Sequence, residues 1–252
     1  MAASHDNHLQ GRVSVITGAS SGNGAATARA LAARGARVVL AARNADKLNT
    51  LITEIRDAGG TATARVTDVT RLGDVEGLMD FAAGKYGPVD HLVNNAGLML
   101  FSKWPDRGID DWDKMIDTNL GGYLHAISAV LPGMTARRSG HILNLSSVAG
   151  IRVGHASGVY SATKFFICGI TDSLRQEVSI THGIQVSMIS PGVIDTGWAD
   201  KVSNAEGKQI AQDLNESAIH PDRVADAVVY ALAQPADITV NDIVIHPTHQ
   251  DW

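Results

Sequence analysis

Short apolar runs alternate with longer stretches of helical character along almost the whole chain. The runs at 12–17, 36–41, 61–66, 89–93, 140–145, 184–190 and 240–245 are bounded by turn residues, which predicts short buried strands. The stretches at 22–34, 44–58, 71–86, 110–137, 158–181 and 221–233 predict helices. Strands that alternate with helices imply right-handed βαβ units and a parallel sheet. The expected fold is therefore α/β: a single Rossmann-type doubly wound parallel β-sheet with helices on both faces. Ligands of such sheets lie at the carboxyl ends of the strands. No internal repeat, low-complexity tract or Pro-rich linker interrupts the pattern, so residues 1–252 read as one domain. Residues 1–10 are polar and read as a flexible tail.

The first strand runs into Thr17-Gly18-Ala19-Ser20-Ser21-Gly22-Asn23-Gly24 and then into an alanine-rich helix. A glycine turn in that context lets the backbone approach a pyrophosphate. The helix start then offers unpaired N–H groups and the positive end of its dipole. Gly18, Ser20, Ser21, Gly22, Asn23 and Gly24 are the candidate contacts, the alternative being a tight turn with no ligand. The second strand ends in Ala41-Ala42 with no acid, and Arg43 follows. An acid there would accept from a ribose 2′-OH, whereas an arginine can pair with a 2′-phosphate. The cofactor expected on this ground is NADP (NADPH); Arg43 as a solvated helix-start charge is the bland alternative.

Tyr160 and Lys164 stand four residues apart in Gly158-Val159-Tyr160-Ser161-Ala162-Thr163-Lys164, so on a helix they share a face. An ammonium beside a phenol favours the phenolate and would lower the tyrosine pKa from about 10. Such a tyrosine can exchange a proton with a carbinol oxygen, while the Ser147 hydroxyl could hold that oxygen in place.

With these segments in view, residues 10–246 resemble the short-chain dehydrogenase/reductase superfamily. Thr17 to Gly24 match its T-G-x-x-x-G-x-G turn, and Asn94-Asn95-Ala96-Gly97 match its N-N-A-G motif. Pro191-Gly192-Val193-Ile194-Asp195-Thr196 match its P-G-x-x-x-T segment. Asn119, Ser147, Tyr160 and Lys164 fall where the family places its catalytic tetrad. The resemblance implies Tyr160 as acid/base and Ser147 as the group that orients the carbonyl oxygen. It implies that Lys164 lowers the tyrosine pKa and holds the nicotinamide ribose. It implies that Asn119 bends its helix and binds a relay water. It also implies cofactor contacts from Asp68 and Val69 at the adenine, from Asn95, Ala96 and Gly97, and from Pro191, Gly192, Val193, Ile194 and Thr196 along the nicotinamide. Within the family the pattern is nearest to NADPH-dependent ketone and aldehyde reductases. Asn23 stands where an apolar residue is usual, which touches packing beside the pyrophosphate.

The formal net charge of −5 argues against nucleic acid as the main partner. No apolar run reaches spanning length, so no membrane is expected. The lone Cys168 suits a reducing, cytoplasmic setting and reads as a core residue. The histidines form no metal cluster. The substrate pocket is expected from 98–104, 149–155, 193–198 and a variable lid within 196–218. Its apolar and aromatic side chains, Met99, Leu100, Phe101, Trp104, Ile151, Val153 and Trp198, favour a ketone or aldehyde with an apolar body. Arg152 and His155 could add a polar contact. Trp252 reads as a docking residue on a neighbouring subunit, and the family commonly forms tetramers, so a homotetramer or homodimer is expected. The sequence thus points to an NADP(H)-dependent oxidoreductase on a small-molecule carbonyl or alcohol. Reduction of a C=N or C=C bond, or a low-turnover dinucleotide-binding regulator, stay open as alternatives.

Overall fold

The structure, a computed structural model, describes residues 8–250. Within them one parallel sheet holds β1 (Val13–Thr17), β2 (Arg37–Ala42), β3 (Thr61–Val66), β4 (His91–Asn94), β5 (Gly140–Leu145), β6 (Ile184–Pro191) and β7 (Asp242–Ile245). Their order is β3-β2-β1-β4-β5-β6-β7. The chain steps outward from β1 to β3 and then crosses back to β4 on the other side of β1. That reversal opens a crevice at the carboxyl ends of β1 and β4, where a doubly wound sheet binds its ligand.

Alternation along the strands explains the layers. Ile16, Val38, Leu40, Val93, Leu143 and Ile189 pack with α1 (Gly22–Ala33), α2 (Ala45–Asp57) and α8 (Asp222–Leu232). Val15, Val39, Leu92, Ile142 and Val186 face α3 (Leu72–Tyr86), α5 (Gly122–Arg137) and α6 (Gly158–His182). Strands buried on both faces carry near-continuous apolar runs, which is why they stand out in the sequence.

Two expectations need correction, whereas the helical propensity of the lid stretch 199–218 is met. The polar tail does not extend to residue 10, because Leu9 is fully buried and packs into the first of these cores. Residues 1–7 of that tail, and Trp252, lie outside the described residues. The stretch 110–137 is not one helix: α4 (Ile109–Ile116) and α5 are joined through a π-helical turn at Asp117–Gly121. Part of the proposed lid is a helix in its own right, α7 (Ala205–Asn215), capped by Asn204, whose side chain accepts from the Gly207 N–H. Among the described residues no helix is long and apolar enough to cross a membrane.

One polar feature of the core has no counterpart in the hydropathy pattern. Ser14, His91, His141 and Ser187 are all buried on adjacent strands. Ser14 Oγ lies 3.0 Å from His91 Nδ1, and the two imidazoles meet edge to face at 6.3 Å. His141 Nε2 lies 2.7 Å from Ser187 Oγ, and Ser187 donates to the Val240 carbonyl at 2.6 Å. A hydroxyl has one proton, so His141 must carry its proton on Nε2 and donate it to Ser187. Burial, and then the Arg12 charge, lower the His91 pKa to about 3; burial, and then His91, lower that of His141 to about 3.

Both imidazoles are neutral in the folded protein, whereas the unfolded chain protonates them below about pH 6.5. Stability contributed by this ladder is therefore present above pH 6.5 and is lost as pH falls towards 3. His141→Gln should flatten that acid limb in a series of denaturant midpoints. An unchanged slope would assign acid unfolding to other groups.

Candidate active site

The glycine turn is built from backbone that only glycine adopts easily. Gly18 and Gly22 have φ of +66° and +52°. A Cβ on Gly22 would lie 2.7 Å from the Thr196 side chain, so the turn and the start of the lid are in contact. Asn95 donates its side-chain amide to the carbonyls of Thr17 (2.9 Å) and Gly18 (3.2 Å). The Thr17 hydroxyl accepts from the N–H groups of Asn95 (3.0 Å) and Ala96 (3.1 Å). The glycine turn and the N-N-A-G segment are thus one hydrogen-bonded unit. Ser21, which precedes α1, makes no side-chain cap, and the first turn of α1 holds no acid. Its N–H groups and dipole remain available to an anion.

A cleft of about 740 Å³ crosses the carboxyl ends of the strands from β3 to β6. Gly18, Ser20, Ser21, Gly22 and Asn23 line it from the glycine turn, and Asn95, Ala96 and Gly97 from the segment after β4. Arg43, Asp68 and Val69 line it beyond β2 and β3, and Pro191, Gly192, Val193, Ile194 and Thr196 beyond β6. Gly24 does not line it. A Cβ there would lie 2.5 Å from both Gly18 O and Asn95 Nδ2, so Gly24 lets the helix pack beneath the turn. Asn23 Oδ1 and Trp198 Nε1 are buried without a partner among the described residues, and both side chains belong to the cleft wall. A cradle that a Cβ would fill, an open helix start and unsatisfied polar atoms together fit a dinucleotide.

Ser147, Tyr160 and Lys164 meet on the far side of this cleft. Ser147 follows β5; its Oγ accepts from Ala149 N at 3.1 Å and donates to Pro191 O at 3.4 Å. Tyr160 and Lys164 share the buried face of α6. Burial pushes Tyr160 up to about 12, and a hydrogen bond from Ser147 pulls in the opposite direction. Burial brings Lys164 down to about 8, against a smaller upward pull from Cys168. The Lys164 ammonium donates to the Leu145 carbonyl at 2.9 Å and lies 5.8 Å from the ring centroids of Tyr123 and Tyr160. The expected lowering of the Tyr160 pKa by Lys164 is therefore not what the protein alone shows. The charge is spent on a carbonyl, and desolvation dominates both groups.

Asn119 bends its helix as the resemblance implies, while its side-chain amide has other partners than a water. It sits in the π turn, fully buried, and does not line the cleft. Its Oδ1 accepts from Leu98 N (2.8 Å), and its Nδ2 donates to Leu98 O (2.9 Å) and Thr163 Oγ1 (3.0 Å). Both amide protons and an oxygen lone pair are committed, so the side chain pins the 98–101 segment and α6 rather than presenting its amide to a relay water.

On the substrate side, Phe101 packs against Trp198 (centroids 5.4 Å) and Tyr160 (6.4 Å). Met99, Leu100, Arg152 and Val153 join the lining, while Trp104, Ile151 and His155 do not. Trp104 is 66% exposed and stacks edge-on against Trp112 at 5.3 Å. The lid is docked: Asn204 donates to Asp106 at 3.1 Å, Lys103 pairs with Glu206, and Ser203 donates to Asp111. The lining also takes in Lys201, from the lid stretch expected to wall the pocket, and Gln250 from the C-terminal stretch, which no expected segment contains. Gln250 Oε1 accepts from Val193 N at 2.9 Å. Gln250 lies in no periodic stretch, and only the fold brings it to the cleft.

The architecture and this cleft define a nicotinamide-dinucleotide oxidoreductase. The sequence model of the short chain dehydrogenase family matches residues 12–207, and the chain belongs to that family. An uncharacterized oxidoreductase of Staphylococcus saprophyticus is 40% identical over 97% of this chain and 99% of its own length. Among solved structures, the alcohol dehydrogenase of the archaeon Thermococcus sibiricus, complexed with 5-hydroxy-NADP, superposes with a TM-score of 0.84 at 28% identity. That match covers 95% of this chain and 98% of the other. A short chain dehydrogenase/reductase from Burkholderia phymatum in complex with NAD gives 0.87 at 27% identity, over 94% and 89% of the two chains.

Asn119→Ala should cost about 1–3 kcal/mol of stability, because it takes from the part-buried Leu98 N–H and C=O, and from Thr163, their amide partner. Urea unfolding of the purified variant measures this. An unchanged midpoint would remove the structural role assigned to Asn119.

Proposed function

We propose that the protein is an NADP(H)-dependent oxidoreductase that interconverts a ketone or aldehyde with its alcohol. The observation that carries this reading is the convergence of Ser147, Tyr160 and Lys164 on the cleft that the glycine cradle opens into. When bound, the dinucleotide supplies or accepts the hydride. The chain's own residues handle the proton and the geometry. Tyr160, raised to about 12, is a neutral phenol at physiological pH and can donate its proton to the carbonyl oxygen as that oxygen gains charge. Ser147, whose side chain acts on the Tyr160 phenol from the same cleft wall, is placed to orient the same oxygen. Lys164 would hold the ribose hydroxyls with the N–H groups that Leu145 leaves free. Phe101, Trp198 and Leu100 surround the phenol and exclude water, which strengthens each of these contacts.

Support for NADP comes from β2. It ends in Ala41-Ala42, and Arg43 lines the cleft with no acid at the position that would accept from a 2′-OH. Solved relatives hold either NADP or NAD, so this local chemistry decides the reading. Arg43→Ala should weaken NADPH binding by about 1.5–3 kcal/mol and leave NADH nearly unchanged. Fluorescence titration of both cofactors checks it; equal losses would remove the 2′-phosphate role.

The reaction is tested by following NADPH absorbance against a panel of ketones and aldehydes. Tyr160→Phe should cut turnover by about 10²–10⁴-fold while cofactor affinity survives. Retention of most of the rate would eliminate Tyr160 as the acid.

The pH dependence has a definite sign. Reduction uses the phenol and should hold through neutral pH. Oxidation uses the phenolate and should rise as pH climbs towards the Tyr160 pKa. In the protein without cofactor, the tyrosinate absorbance attributable to Tyr160, taken as wild type minus Tyr160→Phe, should be absent below about pH 11. The positive charge of the oxidised nicotinamide should draw it lower when NADP⁺ is added. Ionisation near 10 in the free protein would contradict the burial argument.

A further inference from the structure

Lys201 is the one cation that the lid contributes to the cleft wall. It ends the 3₁₀ turn Ala199–Lys201. Its neighbours Trp198, Ala199 and Val202 are buried in the cluster that contains Phe101 and Tyr160. The backbone that carries Lys201 is therefore anchored by apolar packing. Arg43 lines the same cleft after β2, and Lys47 follows in the first turn of α2, where Asn44 caps its N–H at 2.9 Å. Among the described residues the side chains of Arg43, Lys47 and Lys201 form no ion pair or hydrogen bond. Other cations do find carboxylates, as Arg12 does with Asp90, Arg29 with Glu54 and Arg175 with Asp242. Partial burial, followed by the charges of Lys47 and Arg43, pulls the Lys201 pKa down, so the three groups feel one another. Like charges gathered without a counter-ion repel, and an anion placed among them removes that repulsion.

We propose that Lys201 is a specificity-determining residue that, with Arg43 and Lys47, receives the 2′-phosphate of the adenosine ribose, so that a phosphate monoester on the cofactor draws the lid shut over the cleft. The inference rests on the NADP reading above and extends it from affinity to lid closure. The lid is held on its other side by the Lys103–Glu206 pair and by Asn204 on Asp106. Those contacts tie α7 to the segment that carries Phe101. A 2′-phosphate bound to Lys201 would fasten the opposite end of the same lid. The cofactor's phosphate and the substrate wall would then be linked through one short stretch of chain, with Trp198 between them.

A phosphate could reach Lys201 from the 2′ position or from the pyrophosphate, and two probes separate these sources. Adenosine 2′,5′-bisphosphate carries the 2′-phosphate without a pyrophosphate; ADP-ribose carries the pyrophosphate without a 2′-phosphate. Lys201→Met should weaken adenosine 2′,5′-bisphosphate and NADPH about tenfold, the scale of one charge-assisted contact, with ADP-ribose and NADH unchanged. Lys201→Arg should restore most of the loss. Hydrogen exchange supplies a readout independent of turnover. Adenosine 2′,5′-bisphosphate should slow exchange over 198–215 in the wild-type protein and in Lys201→Arg, but not in Lys201→Met. Unchanged affinity and unchanged lid protection in Lys201→Met would overturn the proposal, as would an equal loss of ADP-ribose, which would move Lys201 to the pyrophosphate. If wild-type protein binds NADH as tightly as NADPH, it is the NADP reading that fails first. A wild-type preference for NADPH that Arg43→Ala abolishes and Lys201→Met leaves intact would sink the lid inference alone.

Discussion

The amide of Asn95, bonded to the carbonyl oxygens of Thr17 and Gly18, is the interaction from which the cleft takes its shape. It fastens the end of β1 to the segment after β4 at the point where the strand order reverses. Without it the glycine turn would have to satisfy those carbonyls with water, and the start of α1 would lose its fixed direction. Gly24 permits this stitch, since any larger residue there would displace both Asn95 and the Gly18 carbonyl. An uncapped helix start is unfavourable in isolation, and here the rigid turn beneath it holds it open for a ligand.

The acid/base pair obeys a different constraint. Tyr160 and Lys164 are taken out of water by Phe101, Trp198 and Tyr123, and desolvation favours the neutral form of each. The protein by itself therefore prepares a proton donor rather than a phenolate. Under the proposed function, charge brought in by a bound cofactor would change that balance, and the direction of proton transfer would follow the cofactor's redox state. A buried phenol with a long-range cation is a more economical way to couple the two than a permanent contact pair, which would hold the phenolate whether or not a reaction partner was present.

Much of the fold was legible because a sheet covered on both faces needs continuous apolar strands, and the strand bounds agree to within a residue or two. Most of the cofactor wall was legible too, since its residues follow strands and are spaced by turns with fixed backbone needs. Asn119 and Gly24 show where that legibility ended. Gly24 was assigned to cofactor contact and Asn119 to a relay water by motif, and in the structure they work by packing and by hydrogen bonding beneath the cleft wall. A motif records that a residue type is required at a position without recording which neighbour requires it. The bend at Asn119 was implied by the motif, but its form, a π turn over Asp117–Gly121, was hidden because such a turn keeps helical composition on either side. Gln250 was hidden because it belongs to an aperiodic segment whose placement depends on contacts far away in sequence, and Lys201 was legible only as part of the lid stretch, with no role of its own. The same holds for the His91 and His141 ladder, whose polar side chains interrupt the apolar rule at one end of otherwise ordinary strands.

Gln250 joins the last described residue of the chain to the loop along the cleft floor. Its side chain holds the Val193 N–H, and a Cβ on Gly192 would collide with Gln250 Oε1 at 2.2 Å and with His246 at 2.5 Å. The polypeptide beyond β7 is in this sense a wedge behind the nicotinamide-side loop. Affinity tags, fusion partners or deletions introduced at that end would act on the cleft itself.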